Sequence, residues 1–109
     1  MEEWELIISC KVAEQEILAL TPDLRARFVR ISELLVRLGP NNVGMPHIKP
    51  LENKMWEMRL KGKVNIARSI YFIATKRKII VLHTFIKKTQ KTPSKALDIA
   101  KQRMKEVKL

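Results

Sequence analysis

The sequence predicts an α+β domain in which an N-terminal helical hairpin packs on a small antiparallel β-sheet, followed by a C-terminal helix. Three observations predict it. Apolar residues recur at helical spacing up to residue 38. Strand-like runs divided by short turns take over after Pro50, and helical spacing returns after Thr92-Pro93. The chain has 109 residues, which suits one domain over residues 1–109 with a single core.

Trp4 to Ile8 is a short apolar run that suits an edge strand. From Lys11 to Leu20, Val12, Ala13, Ile17 and Leu20 fall at helical spacing, with Glu14 and Glu16 turned away. Thr21-Pro22-Asp23 ends that helix and opens another, Thr21 as N-cap and Pro22 in the first helical position. Leu24, Phe28, Ile31, Leu34, Leu35 and Leu38 then form one stripe, which Gly39-Pro40 terminates. Asn41 to Pro50 reads as a loop. Lys54 to Leu60, Ile66 to Ala74 and Lys78 to Ile86 read as strands joined by turns at Lys61-Gly62-Lys63 and Thr75-Lys76-Arg77, an antiparallel meander. Thr92-Pro93 repeats the cap signal ahead of a helix with Ala96, Leu97, Ala100, Met104 and Val107 facing inward.

Composition narrows the function. The single Cys10 excludes an internal disulfide and fits a reducing compartment, and one Cys with two His is too few for a structural zinc site. No apolar run approaches the ~18 residues of a membrane span, and the acidic start Met1-Glu2-Glu3 is unlike a signal peptide, so a cytoplasmic protein is expected. The net charge of +11 is segregated: residues 1–53 hold six Lys/Arg against eight Asp/Glu, residues 54–109 sixteen against three. Clustered cations bind phosphates and release counterions, so the second half favours a polyanionic partner, with a solvated, solubilising face as the plainer alternative. A basic helix with a lipid-facing aromatic stripe is absent, which argues against a membrane partner.

No Gly-rich phosphate loop, metal-ligand spacing or paired carboxylates occur in the basic half. What remains is a set of cations on or beside strands. Alternation puts Arg68 in step with Ile70 and Phe72, Arg59 ends the run Met55-Glu57-Arg59, and Lys87-Lys88 follow the last strand. If register brings these together, fixed guanidinium groups suit phosphodiester cleavage, because they stabilise charge on a pentavalent phosphate without reorganising. Each also has a plainer reading: Arg59 in a surface pair with Glu57 or Glu52, Lys87 and Lys88 as loop cations, His83 as a hydrogen-bonded core histidine, Tyr71 and Trp56 as packing residues.

Four stretches in this order resemble phage-derived, HigB-like members of the RelE toxin superfamily. They are the loop from Leu38 to Leu51, Met55-Trp56-Glu57-Met58-Arg59, Arg68-Ser69-Ile70-Tyr71-Phe72, and His83 to Pro93 followed by Ala96, Ala100 and Arg103. The resemblance covers the chain from about Trp4 onward. It implies a RelE-like fold and the toxin of a type II toxin–antitoxin pair: an endoribonuclease that cuts mRNA on the ribosome, without metal or cofactor, by attack of the 2′-hydroxyl on the adjacent phosphate. It also implies neutralisation by a HigA-like helix-turn-helix antitoxin, with operator DNA bound only through the complex.

Among the residues, Arg68 matches the strand arginine on the scissile phosphate, Arg59 a supporting basic position, and Lys87 and Lys88 further cations, Lys88 being closer to a transition-state stabiliser. The chain departs from the RelE type at Glu57, where that type has lysine. It also lacks a tyrosine after the final strand and a C-terminal histidine. The general base is therefore open, with Tyr71 and His83 as fallbacks. Two rivals keep the fold or the charge: a ParE-like gyrase poison, and a module that binds RNA or ribosomes without catalysis.

Overall fold

The computed structural model describes residues 3–44, 46–88 and 91–107. Met45, Thr89 and Gln90 of the motifs above, and Met1-Glu2, lie outside them. The elements run β1 (Glu5–Ile8), α1 (Lys11–Leu18), α2 (Pro22–Leu38), a 3-10 turn (Pro40–Asn42), β2 (Ile48–Pro50), β3 (Met55–Lys61), β4 (Ile66–Ala74), β5 (Lys78–Lys87) and α3 (Ser94–Glu106). The fold is α+β as expected: a hairpin of α1 and α2, a sheet, and a final helix.

The sheet has five strands in the order β1-β5-β4-β3-β2. The meander β3-β4-β5 is antiparallel, and β2 extends it antiparallel to β3. β1 adds at the other edge parallel to β5, from Glu5 opposite Lys78 to Ile8 opposite Val81, so the sheet is mixed. β2 lies where a loop was expected. It is only three residues long, too short to show a period, and its turn into β3 places Asn53 and Lys54 in the left-handed region, at φ 57° and 62°.

Strand alternation divides the core between the two faces of the sheet. Met58, Leu60, Ala67, Tyr71, Ile79 and Val81 pack with Ile17, Leu20, Leu24, Phe28, Ile31 and Leu35 of the hairpin. Met55, Ile70, Ile80 and Leu82 pack beneath Ala96 and Ala100 of α3 on the opposite side. Val12 and Leu38, expected to face inward, are exposed because they sit at the margins of their helical stripes.

Thr21 holds the N-cap position of α2 with Pro22 in its first turn, as the sequence predicts, but its side chain makes no cap, and Thr92 does not hold the corresponding position of α3. The Thr21 hydroxyl donates to Asp23 Oδ1 instead of taking a backbone N–H. Pro93 holds the N-cap position of α3, and the Thr92 hydroxyl is recruited by Glu57. Gly39 closes α2 at φ +87°, with a Cβ there only 3.1 Å from Trp4 Nε1. The Arg77 guanidinium lies over the Trp4 ring, 5.6 Å from its centroid, which ties the start of β1 to the β4–β5 turn.

Candidate nucleic-acid interface

The register of β3, β4 and β5 decides which cations meet. Arg59 is directly opposite Arg68, and Arg68 is opposite Phe85. In the next row outward, Lys61 is opposite Ile66 and Ile66 opposite Lys87. Paired residues share a face, so Arg59, Lys61, Arg68 and Lys87 occupy one end of one sheet face, beyond the cluster under α3. Lys88 follows at the end of β5 and is exposed. Of the cations that the sequence singled out, Arg59, Arg68 and Lys87 thus converge, and Lys61, placed in a turn by sequence reasoning, joins them as the last residue of β3.

The row inward is built around a carboxylate. Glu57 is 1% exposed, and its Oε2 accepts from Arg68 Nη1 at 2.6 Å. Both its oxygens also lie near the Thr92 hydroxyl, at 3.2 and 3.1 Å. Arg68 is itself only 4% exposed, and its Nε, also buried, has no partner among the described residues. A buried guanidinium is tolerated where an anion meets it, which is what Glu57 supplies. Arg59, by contrast, is exposed and pairs with neither acid proposed for it: Glu57 holds Arg68, and Glu52 holds Lys101 at 2.5 Å.

The two fallback bases part company. Tyr71 alternates to the hairpin face and is 1% exposed, and burial pushes its phenol well above its ordinary range. It does not meet the cations. His83 pairs with Ile70, in the same row as Glu57, and its ring stacks on Phe85 with centroids 5.3 Å apart. A register shift between Ile70 and Tyr71 leaves Leu82 unpaired, so Leu82 and His83 both come to the α3 side.

His83 Nδ1 is 3.0 Å from Glu16 Oε1, and the same oxygen accepts from the Thr84 backbone N–H and Arg103 Nη1. Arg103 also donates to the Leu82 carbonyl that the bulge frees. Burial pushes the Glu16 carboxyl upward, but Arg103, the Thr84 N–H and His83 outweigh it and hold it below its ordinary value. Its bond to Glu16 raises the Arg103 guanidinium in turn. Sequence reasoning turned Glu16 outward and gave Arg103 no role. The only signal for Glu57 was a carboxylate in step with buried Met55 and Arg59 in a half nearly free of acids.

A mixed sheet with a two-helix hairpin on one face, one helix on the other, and cations gathered at the sheet end define a small RelE-like protein. The sequence profile described as "Phage derived protein Gp49-like (DUF891)" matches residues 15–105, and the chain belongs to that family, one of RelE/HigB-type toxins. The fold is similar to that of a chain in the crystal structure of the archaeal RelE-RelB complex from Pyrococcus horikoshii OT3. The TM-score is 0.57 at 19% identity, covering 79% of this chain and 96% of that one. No curated protein matches the sequence. Among the described residues no helix is long and apolar enough to cross a membrane, and no group of three or more His, Cys, Asp or Glu is placed to hold a metal ion.

Proposed function

We propose that this protein is the toxin of a type II toxin–antitoxin pair, and that it cleaves mRNA engaged on the ribosome. The observation that carries the reading is the cross-strand row Arg59–Arg68, with Lys61 and Lys87 one row further out on the same face. Cations fixed on a rigid sheet offset the charge that builds on a phosphorane at no cost in reorganisation. Arg59, Lys87 and Lys88 supply charge toward the RNA. Arg68, held by Glu57, anchors the row and adds its field from within.

In the reaction, the RNA 2′-oxygen bonds to the adjacent phosphorus, the bond from phosphorus to the 5′-oxygen breaks, and a 2′,3′-cyclic phosphate remains. The 2′-hydroxyl proton passes to a base, and the leaving 5′-oxygen is protonated. His83 is the better candidate for the proton transfers. In this reading Nδ1 donates to Glu16 Oε1, 3.0 Å away, and Nε2 takes the proton, with the ring stacked on Phe85 beside the cationic row. The partner in this reading is a HigA-like helix-turn-helix antitoxin whose acidic groups or bulk block the basic face.

Induction of wild type, Arg59→Ala and Lys87→Ala in separate cultures, with primer extension on a reporter mRNA, tests the reading. Wild type arrests growth and leaves discrete ends inside translated codons, and both variants lose most of those ends. Arrest without new ends sinks the nuclease in favour of a gyrase poison or another target. No arrest leaves a binding module.

A further inference from the structure

The sheet-end chemistry makes no use of Arg27, His47 or the outer side of Lys61, yet these three meet. With Arg59 and Pro46 they line one cleft of about 220 Å³. It opens because β2 accompanies β3 only as far as Ile48 opposite Met58. The His47 carbonyl then takes the Arg59 N–H at 2.8 Å, after which, among the described residues, the edge of β3 has no neighbouring strand. Helix α2 fills part of the gap, with Asp23 and Leu24 against Gly62, and Arg27 stands on the turn that follows Leu24. The cleft is therefore walled by α2, the approach to β2, and the end of β3.

Its lining is chemically one-sided. Among the described residues, four of the five lining side chains are basic and none is acidic. Among the described residues none of these four makes a hydrogen bond or ion pair through its side chain, whereas Arg68, Arg103 and Lys101 are each matched to a carboxylate. Like charges gathered without a counter-charge repel one another, and an anion in their midst removes that penalty.

We propose that this cleft binds a second phosphate of the RNA strand, next along the backbone from the phosphate at the Arg59–Arg68 row. The inference rests on the ribonuclease reading for the identity of the polyanion. Arg59 belongs to both sites, so a strand with one phosphate on the row leads directly to the cleft. A phosphodiester is the better occupant than an acidic side chain. Two guanidinium forks, an ammonium and an imidazole offer more donors than one planar carboxylate accepts, and phosphate suits the forks bidentately. With water occupying about 30 Å³ in the liquid, the volume also takes a phosphate with part of its sugar. Arg27, His47 and Lys61 are thus RNA-positioning residues that act on affinity and register.

The test uses the full chain and a fluorescein-labelled, fully 2′-O-methylated RNA nonamer, which has no 2′-hydroxyl to attack. Anisotropy is measured from 50 to 200 mM salt for wild type, Arg27→Gln, Lys61→Gln, the double variant, and Arg30→Gln as a charge-matched control on exposed α2 surface. Removing one cation from a phosphate lowers the salt slope by about 0.7 and the affinity at 0.1 M salt by about fivefold, so the double variant falls by roughly 25-fold. Arg30→Gln leaves the slope unchanged. Inorganic phosphate shifts the His47 imidazole resonances in wild type and not in the double variant.

Unchanged slope and affinity in the double variant overturn the proposal. So does a double variant that keeps RNA affinity but loses affinity for a poly-glutamate peptide, which makes the cleft an acidic-peptide site. The readout needs no cleavage. A wild type that cuts no mRNA while the slopes still fall refutes the nuclease and leaves the subsite standing. Cleavage with unmoved slopes refutes the subsite alone.

Discussion

Replacing Glu57 by alanine perturbs the core of the site most sharply. Glu57 and Arg68 have side chains 0% and 5% exposed, and they meet at 2.6 Å. Without the carboxylate, a guanidinium remains in a place water barely reaches, its Nε already unpartnered, and Thr92 loses its acceptor. Breaking one side of a buried pair costs about 3–5 kcal/mol, because the surviving charge keeps its desolvation and loses its compensation. Total stability for such a domain is only ~5–15 kcal/mol. At an unfolding entropy of ~2.1 cal/mol/K per residue, the loss corresponds to a Tm lower by about 13–22 °C. Arg68→Ala costs a similar amount for the mirrored reason. The double variant Glu57→Leu/Arg68→Met removes both charges and fills the space with apolar atoms, so it stays within about 2 kcal/mol of wild type. Urea denaturation followed by circular dichroism at pH 7 closes the cycle, with an expected coupling of at least ~3 kcal/mol. Either single variant costing under about 1 kcal/mol, or strict additivity, refutes the argument that Arg68 is a buried, compensated charge.

Glu16→Gln destabilises the protein by about 1.5–3 kcal/mol at pH 7, through weakened bonds to Arg103, the Thr84 N–H and His83. The folded Glu16 carboxyl lies below its ordinary 4.5, so its contribution is complete above that pH and is lost as pH falls through the folded value. The gap between wild type and variant in melts therefore narrows below pH 4.5; an equal gap at pH 3 and pH 7 contradicts the assignment. Ser32 is buried within α2 and its hydroxyl has no partner among the described residues, so Ser32→Ala raises stability by about 0.5–2 kcal/mol. A loss of more than about 1 kcal/mol in thermal melts points to a partner for that hydroxyl. Gly39→Ala forces a Cβ into a backbone conformation of φ +87° against Trp4, and lowers stability by about 1–3 kcal/mol. An unchanged Tm shows that the end of α2 relaxes freely.

Elements with a long, clean period were legible in the sequence, and those fixed by long-range pairing were not. The stripe of α2 and the three meander strands are visible because burial on one face writes a period into the residues themselves. β2 leaves no such trace in three residues, although Asn53 next to a strand-like run is a turn signal that sequence reading passed over. The parallel docking of β1 on β5 depends on a partner some 70 residues away, which local pattern does not encode. For the site, alternation placed Arg68, Ile70 and Phe72 on one face, and register supplied what alternation lacks by setting Arg59 opposite Arg68. Glu16 was misread because the helical wheel shows only that it avoids the hairpin core. It cannot show that β5, freed of β1 beyond Val81, offers an unpaired Thr84 N–H for it to take.

The same charges that suggested a nucleic-acid partner divide into two populations once their neighbours are known. Arg68 and Arg103 are inside the fold, each compensated by one acid, Glu57 and Glu16, from a chain with only eleven. Arg59, Lys61 and Lys88 are exposed and unmatched among the described residues, and these are the groups a polyanion meets first. Loss of toxicity in Arg68→Ala therefore carries little information on catalysis, because the variant also leaves Glu57 buried and unpaired. Arg59→Ala removes an equal charge one strand away from a place where nothing in the core depends on it. Comparing the two separates electrostatic action on RNA from support of the fold: Arg59→Ala loses cleavage at unchanged Tm, whereas Arg68→Ala loses both, and the double variant Glu57→Leu/Arg68→Met recovers Tm without recovering cleavage.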